Sequence, residues 1–171
     1  MNANKYTQRS IEAVQAAQSI AIEHGNQTIQ QAHLLLALLQ AENGLAPQLL
    51  GQMGLTVPSF ISAVRSEVAR LPRVSGPGRE MDKVYVSQEM DQAMNAAETI
   101  AAGMRDEYVS VEHLLLALVE QADSTLRELF RSFGITKEGL LQALAAVRGS
   151  QRVTSDNPEE TYDALNKYGT D

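Results

Sequence analysis

The sequence "AHLLLALLQ" at residues 32–40 is written again, eighty residues later, as "EHLLLALVE" at residues 112–120. The five apolar residues in a row that the copies share, at 34–38 and 114–118, leave little room for a solvated face, so each copy is predicted to be a buried, central helix. Residues 6–68 align with residues 86–148 at this same offset without a gap, and sixteen of the sixty-three pairs are identical. The chain is therefore predicted to be a duplicated unit.

Helical signals dominate both copies. Thr7 and Ser87 occupy equivalent positions and are predicted N-caps of the first helices. Sustained period-two alternation is missing, so the fold class is predicted to be all-α. We expect two four-helix repeats that pack around a pseudo-twofold axis as one eight-helix domain. The predicted helices cover about 8–24, 30–41, 46–53 and 57–71 in the first copy, and 88–104, 110–121, 124–133 and 137–148 in the second.

Proline and glycine mark the boundaries between the copies. "LPRVSGPGREMDK" at residues 71–83 has no helical period and is predicted to be a connector. The predicted organisation is a first repeat at 1–71, a linker at 72–84, a second repeat at 85–148 and a flexible connector at 149–171. The connector is expected to lead into a further domain outside this chain.

Composition excludes several classes of function. Cysteine is absent, which excludes a disulfide framework and is compatible with a cytoplasmic protein. The net charge is −7, concentrated in the second copy and the connector, and this argues against nucleic-acid binding and against docking to anionic lipid. Apolar runs are too short for a membrane span.

The repeated histidines, His33 and His113, are the strongest candidates for metal ligands. We expect them instead to pack or hydrogen-bond at the start of their helices, because no H-E-x-x-H or C-x-x-C spacing accompanies them. The order of residues in "GPGREMDK" does not match a phosphate-binding loop, and no nucleophile elbow is present. The chain is thus predicted to be non-enzymatic and to hold no cofactor.

The duplication and several segments resemble a known family. "AHLLLALLQAENGLAPQLLGQMG", "RDEYVSVEHLLLALVE", "LFRSFGIT" and "VRGSQRVTSDNPEETYDALNKYGTD" are similar to the Clp repeat N-terminal domain of Hsp100 chaperones, and the last segment resembles the connector of the ClpB branch. The resemblance implies a substrate-binding domain that is tethered above a hexameric, ATP- and magnesium-dependent disaggregase ring. The implied partners are unfolded or aggregated polypeptides and a DnaK-type chaperone. An adaptor-docking domain of a ClpA- or ClpC-type protease ATPase is the alternative.

The resemblance also implies site residues. A threonine near the N-terminus and an Asp and a Glu in the second-repeat loop engage substrate in ClpB-type domains, and the matching residues here are Thr7, Asp106 and Glu112. From the residues alone, a role at the start of a helix is an adequate explanation of Thr7 and Glu112, and a solvated loop is an adequate explanation of Asp106. The functional reading places the acids at the rim of an apolar groove near the junction of the halves, where their replacement would weaken binding without unfolding the domain.

Overall fold

The computed structural model describes residues 2–74 and 84–149. A 3₁₀ turn at Ala3–Lys5 precedes eight α-helices in these ranges, and two short strands lie between them. The first half contains α1 (Gln8–Glu23), β1 (Thr28–Ile29), α2 (Gln31–Gln40), α3 (Leu45–Gln52) and α4 (Val57–Arg70). The second half contains β2 (Tyr85–Val86), α5 (Gln88–Gly103), α6 (Val111–Glu120), α7 (Ser124–Ser132) and α8 (Lys137–Arg148).

The first helix of each half begins with the same cap. The Thr7 side chain accepts a hydrogen bond from Ser10 N–H, and the Ser87 side chain accepts one from Met90 N–H. Each cap satisfies a backbone donor that the first helical turn leaves without an intrahelical partner. The predicted N-caps are confirmed.

The two leucine-rich helices, α2 and α6, lie in contact at the centre of the domain. Every residue of α2 except Gln40 is buried, and α6 is buried from Val111 to Leu118. The helices α1 and α5 pack against them through small side chains that recur every four residues. These buried alanines are Ala13, Ala17 and Ala21 in α1 and Ala93, Ala97 and Ala101 in α5. The prediction of buried central helices is confirmed.

Short backbone contacts relate the halves by a pseudo-twofold axis. The strands β1 and β2 pair in parallel with Ile29 opposite Val86, and an isolated bridge joins Tyr6 to Val109. Adding eighty to residues 6 and 29 gives residues 86 and 109, so the same two positions meet twice with the halves exchanged. This reciprocity is the pattern of a twofold interface. It confirms the all-α, pseudo-twofold, eight-helix fold class.

The strand pair and the bridge were not predicted, because segments of one or two residues leave no detectable alternation. The bounds of the four predicted segments stay predictions. Most of the predicted linker, residues 75–83, and the connector from residue 150 onward lie outside the described residues.

Candidate functional site

A groove runs along the whole length of α1 and is the candidate binding site. It has a volume of about 670 Å³ and lies between α1, the C-terminal half of α2 and the start of α3, with Val111 of α6 at one side. We call it the α1 groove. All of its lining residues except Val111 come from the first half, so it lies beside the junction of the halves rather than centrally within it.

The α1 groove has an apolar floor and a polar rim. The floor consists of buried side chains that also belong to the core: Ala13, Ile20, Ala37, Leu38, Leu45 and Val111. Exposed residues form the rim, and they include Gln8, Ala16, Ser19 and Gln40. An apolar floor with a polar edge favours a ligand that buries side chains and keeps its own polar groups near water.

The charged residues of the rim are mainly acidic. Glu12, Glu23 and Glu42 are exposed at its edge, against one cation, Arg9. The Arg9 guanidinium donates to two backbone carbonyls in the turn after α2, those of Glu42 at 3.3 Å and Asn43 at 3.5 Å. The rim therefore presents a negative edge to a ligand.

Thr7 lies directly before the α1 groove but does not face solvent. It is fully buried, and its N–H donates to the Val109 carbonyl at 2.9 Å. The Ser10 hydroxyl also lies 2.9 Å from that carbonyl oxygen. Thr7 thus caps α1 and joins the start of that helix to the second half.

Asp106 and Glu112 belong to a buried charged cluster that includes Arg148. Their side chains are both completely inaccessible, and Arg148, in the last turn of α8, is 5% exposed. The Arg148 guanidinium donates to Asp106 Oδ1 and lies 3.5 Å from Glu112 Oε2. His113 Nε2 lies 2.7 Å from Asp106 Oδ2, and the Ser110 hydroxyl donates to Glu112 Oε1.

This placement differs from the two sequence-based pictures of these acids. Asp106 is not a solvated loop residue, since its carboxylate is enclosed between Arg148 and His113. Neither acid is accessible at a groove rim, and removal of either carboxylate would leave Arg148 with less compensating charge in a buried site. This burial argues against the expectation that Asp106 or Glu112 can be replaced without loss of stability. Their role in binding stays a prediction.

The equivalent positions of the first half are neutral. At an offset of eighty residues, the three charged members of the cluster correspond to uncharged residues: Asn26 for Asp106, Ala32 for Glu112 and Val68 for Arg148. Two anions and one cation of the cluster are thus present in one half only. This difference is visible when the two halves are aligned, and it is the signal that could have revealed the cluster from sequence.

Each repeated histidine serves as a helix cap. His33 Nδ1 accepts the Gln30 N–H at 2.8 Å, and His113 Nδ1 accepts the Ser110 N–H at 2.9 Å. In each half the histidine ring has the position that Glu or Gln has in a capping box, and it accepts the N–H of the N-cap residue. The opposite ring nitrogen of His33 lies 2.8 Å from Asn26 Oδ1, which an N–H donor on that nitrogen satisfies.

Burial is the main reason that the pKa of His33 is lowered to about 4, and the nearby charge of His24 lowers it further. His33 is therefore neutral at physiological pH. Within residues 2–74 and 84–149, no group of three or more His, Asp or Glu side chains is arranged to hold a metal ion. No helix in the same ranges is long and apolar enough to span a bilayer.

The buried cluster and the Thr7 cap adjoin the lining of the α1 groove along the chain. Glu112 directly follows Val111, the residue of α6 that lines the groove, and Thr7 directly precedes Gln8 and Arg9 on the rim. Arg148 joins Asp106 to Glu112, and Thr7 bonds to Val109 beside Ser110 of the cluster, so the three residues that sequence predicts as a site lie in one connected region. None of them lines the groove.

Comparisons with known sequences identify relatives. A family model described as the Clp repeat (R) N-terminal domain matches residues 5–133. The chaperone protein ClpB of Nitratidesulfovibrio vulgaris is 42% identical over 172 residues, which cover 100% of this chain and 20% of that protein. ClpB of Bacillus cereus is 42% identical over 171 residues with the same coverage. The chain therefore spans about one fifth of the length of these relatives.

Comparisons with solved structures identify the same fold. The Hsp104 N-terminal domain of Candida albicans has a TM-score of 0.79 at 22% identity, covering 91% of this chain and 99% of that one. A ClpV N-domain solved in complex with a VipB peptide has a TM-score of 0.66 at 21% identity, covering 83% of this chain and 86% of that one. At such identities the likeness is one of fold.

Proposed function

The chain belongs to the Clp repeat N-terminal domain family, and we propose that it is the substrate-binding N-terminal domain of a ClpB-type chaperone. Its ligand is an extended segment of unfolded or aggregated polypeptide that lies in the α1 groove. The single observation that carries this proposal is the groove itself, with its buried apolar floor and acidic rim.

The dimensions of the α1 groove suit a short extended peptide. Its lining residues on α1 run from Gln8 to Glu23, which at about 1.5 Å per residue is roughly 22 Å. An extended chain rises about 3.3 Å per residue, so six or seven residues fill this length. Alternate side chains of such a segment can reach the floor while the others remain in solvent.

The composition of the floor predicts weak binding. Burial of a large apolar side chain contributes about 1.5–3 kcal/mol, and two or three such side chains can reach the floor. Loss of translational freedom and ordering of the peptide offset much of this gain. Low affinity suits a domain that must release its ligand to a translocating ring, and tethering near the ring raises the effective concentration.

The acidic rim selects among apolar segments. Glu12, Glu23 and Glu42 favour a ligand that carries Lys or Arg beside its apolar residues, and they disfavour acidic flanks. These charges are exposed and screened by salt, so they tune the preference rather than supply most of the affinity.

Thr7, Asp106 and Glu112 act in this proposal as positioning residues. Thr7 holds the start of α1 against Val109, and the two acids hold Arg148 and the first turn of α6. These contacts fix the two sides of the groove relative to each other.

The proposal extends to the longer protein of which the ClpB relatives are examples. There the domain belongs to a cytoplasmic homohexamer that uses ATP and magnesium in other modules and cooperates with a DnaK-type chaperone. A ClpV N-domain, which has the same fold, has been solved in complex with a VipB peptide. That complex supports the proposal that a domain of this fold can bind a peptide. Docking of a folded adaptor, as in ClpA- or ClpC-type proteins, is the alternative.

Fluorescence anisotropy with a labelled peptide tests the proposal. The peptide has twelve residues with an apolar centre and lysine flanks, and the variants are Ala16→Arg in the groove and Gln18→Arg as control. Both positions are exposed on α1, but only Ala16 lines the groove, and the change in charge is the same.

We expect Ala16→Arg to weaken binding at least tenfold and Gln18→Arg to change it less than twofold, with both melting temperatures within a few degrees of wild type. Equal affinity of Ala16→Arg and wild type would exclude the α1 groove as the site. Binding of a folded adaptor but of no unfolded peptide would favour the alternative.

A further inference from the structure

The pseudo-twofold axis relates two equivalent surfaces, one along α1 and one along α5, and their side chains differ. We call each of these surfaces a seam. The first seam is the α1 groove, which Val111 lines at the first residue of α6. The second seam follows from the pseudo-twofold axis and lies along α5, where the equivalent residue is Gln31, the first residue of α2. The pair Gln31 and Val111 is therefore one position with two different side chains.

Gln31 closes the second seam with three hydrogen bonds. Its amide nitrogen donates to the Glu89 carbonyl at 2.9 Å and to the Gln121 carbonyl at 2.7 Å. Its amide oxygen accepts the Asp123 N–H at 2.9 Å. The side chain is fully buried and joins the start of α5, the end of α6 and the N-cap of α7.

The turn after α6 is correspondingly drawn inward. Ala122, in the middle of this turn, is 6% exposed. The equivalent residue of the first half is Glu42, which is exposed at the rim of the α1 groove. The closed seam thus has a small apolar residue turned inside where the open seam has a charged residue turned out.

Val111 cannot form the same bridge. The residues of the first half that correspond to Glu89, Gln121 and Asp123 are Arg9, Ala41 and Asn43. The first two line the α1 groove, and the Val111 side chain has no polar atom with which to join them. Its short apolar side chain instead becomes part of the floor.

We propose that the residue at this position, 31 in one half and 111 in the other, determines which seam accepts a guest polypeptide. Glutamine closes a seam by bridging three backbone groups, and valine leaves it open and apolar. The domain consequently binds one extended segment at a time and in one half only. This inference rests on the proposed function, because it takes the α1 groove as the peptide site.

Exchange of the two side chains tests the inference. The probe is the lysine-flanked apolar peptide described above, titrated calorimetrically into wild type and into Val111→Gln, Val111→Ala and Gln31→Val. Circular dichroism establishes that each variant is folded, and backbone NMR shifts report which helix the peptide contacts.

We expect wild type to bind one peptide, Val111→Gln to bind at least tenfold more weakly, and the control Val111→Ala to remain within threefold of wild type. Gln31→Val should bind a second peptide, with new shifts at Ala96 and Thr99 on α5. A folded Val111→Gln protein with wild-type affinity would overturn the inference. If Val111→Gln does not fold, a stoichiometry of one for Gln31→Val overturns it instead.

These outcomes separate the inference from the function on which it rests. If Ala16→Arg weakens binding and Val111→Gln does not, the α1 groove is the site but position 111 does not control it. If neither variant changes the affinity, the proposed function itself fails.

Discussion

Replacement of Arg148 by valine is the sharpest test of the buried charged cluster. The Arg148 guanidinium contacts both Asp106 and Glu112, and the side chains of these acids have no solvent access. The variant Arg148→Val leaves the two carboxylates without this cation. Removal of one partner from a buried ion pair costs about 3–5 kcal/mol. In a domain of this size each kcal/mol lowers the melting temperature by about 2–4 °C, so we expect a decrease of roughly 6–20 °C.

A matched triple variant separates loss of charge balance from loss of packing. Asp106→Asn, Glu112→Ala and Arg148→Val together install the neutral set that the first half already carries as Asn26, Ala32 and Val68. Because no charge then remains buried without a partner, the triple variant is expected to regain most of the stability that Arg148→Val loses. Thermal and urea unfolding followed by circular dichroism measure both effects.

Two results would refute this reasoning about stability. One is an Arg148→Val protein as stable as wild type, and the other is a triple variant no more stable than the single one. The triple variant also tests the positioning role of the acids. Its peptide affinity is expected to stay within threefold of wild type, since every lining residue of the α1 groove is unchanged. A folded triple variant that loses binding would mean that the positioning depends on the charges of Asp106, Glu112 and Arg148 themselves, which the neutral set does not replace.

Three further predictions follow from individual residues. Folded His33 stays neutral down to about pH 4, whereas the unfolded chain takes up a proton near pH 6.5. The free energy of unfolding should therefore decrease by about 2–3 kcal/mol as the pH falls from 6.5 to 4, and urea titrations of a His33→Gln variant should lack that component. Leu36→Asp or Leu116→Asp should abolish the folded state, because each leucine is 2% exposed; a cooperative melting transition like that of wild type would contradict the core assignment. Arg105 has a φ of 61° where the first half has Gly25, so Arg105→Gly should raise stability by up to about 1 kcal/mol, and a lower urea midpoint would argue against backbone strain there.

Most of the fold follows from the sequence because the duplication doubles each local signal. The helix bounds agree within about two residues, since caps such as Thr7 and Ser87 and the positive-φ glycines at 54 and 134 act locally. The central position of α2 and α6 follows from composition alone, because a continuous run of leucine leaves no polar face.

The site is less accessible to sequence reasoning because it depends on long-range contacts. Arg148 lies 42 residues from Asp106 and 36 from Glu112 along the chain, and no local pattern joins them. Alignment of the two halves nevertheless indicates the cluster, because three positions that are neutral in the first half are charged in the second. The difference between Gln31 and Val111 is also visible when the halves are aligned. Its consequence for binding can be inferred only from the three-dimensional contacts of the two seams.

The most direct test of the central claim is backbone NMR of the domain during titration with the lysine-flanked apolar peptide. Our account predicts that the largest shift changes cluster at the α1 groove, at Arg9, Ala16, Ser19, Ala41 and Val111, and saturate at one peptide per domain. Changes that instead centre on α8 or on the exposed Tyr85 and Val86, with the α1 groove unaffected, would contradict it.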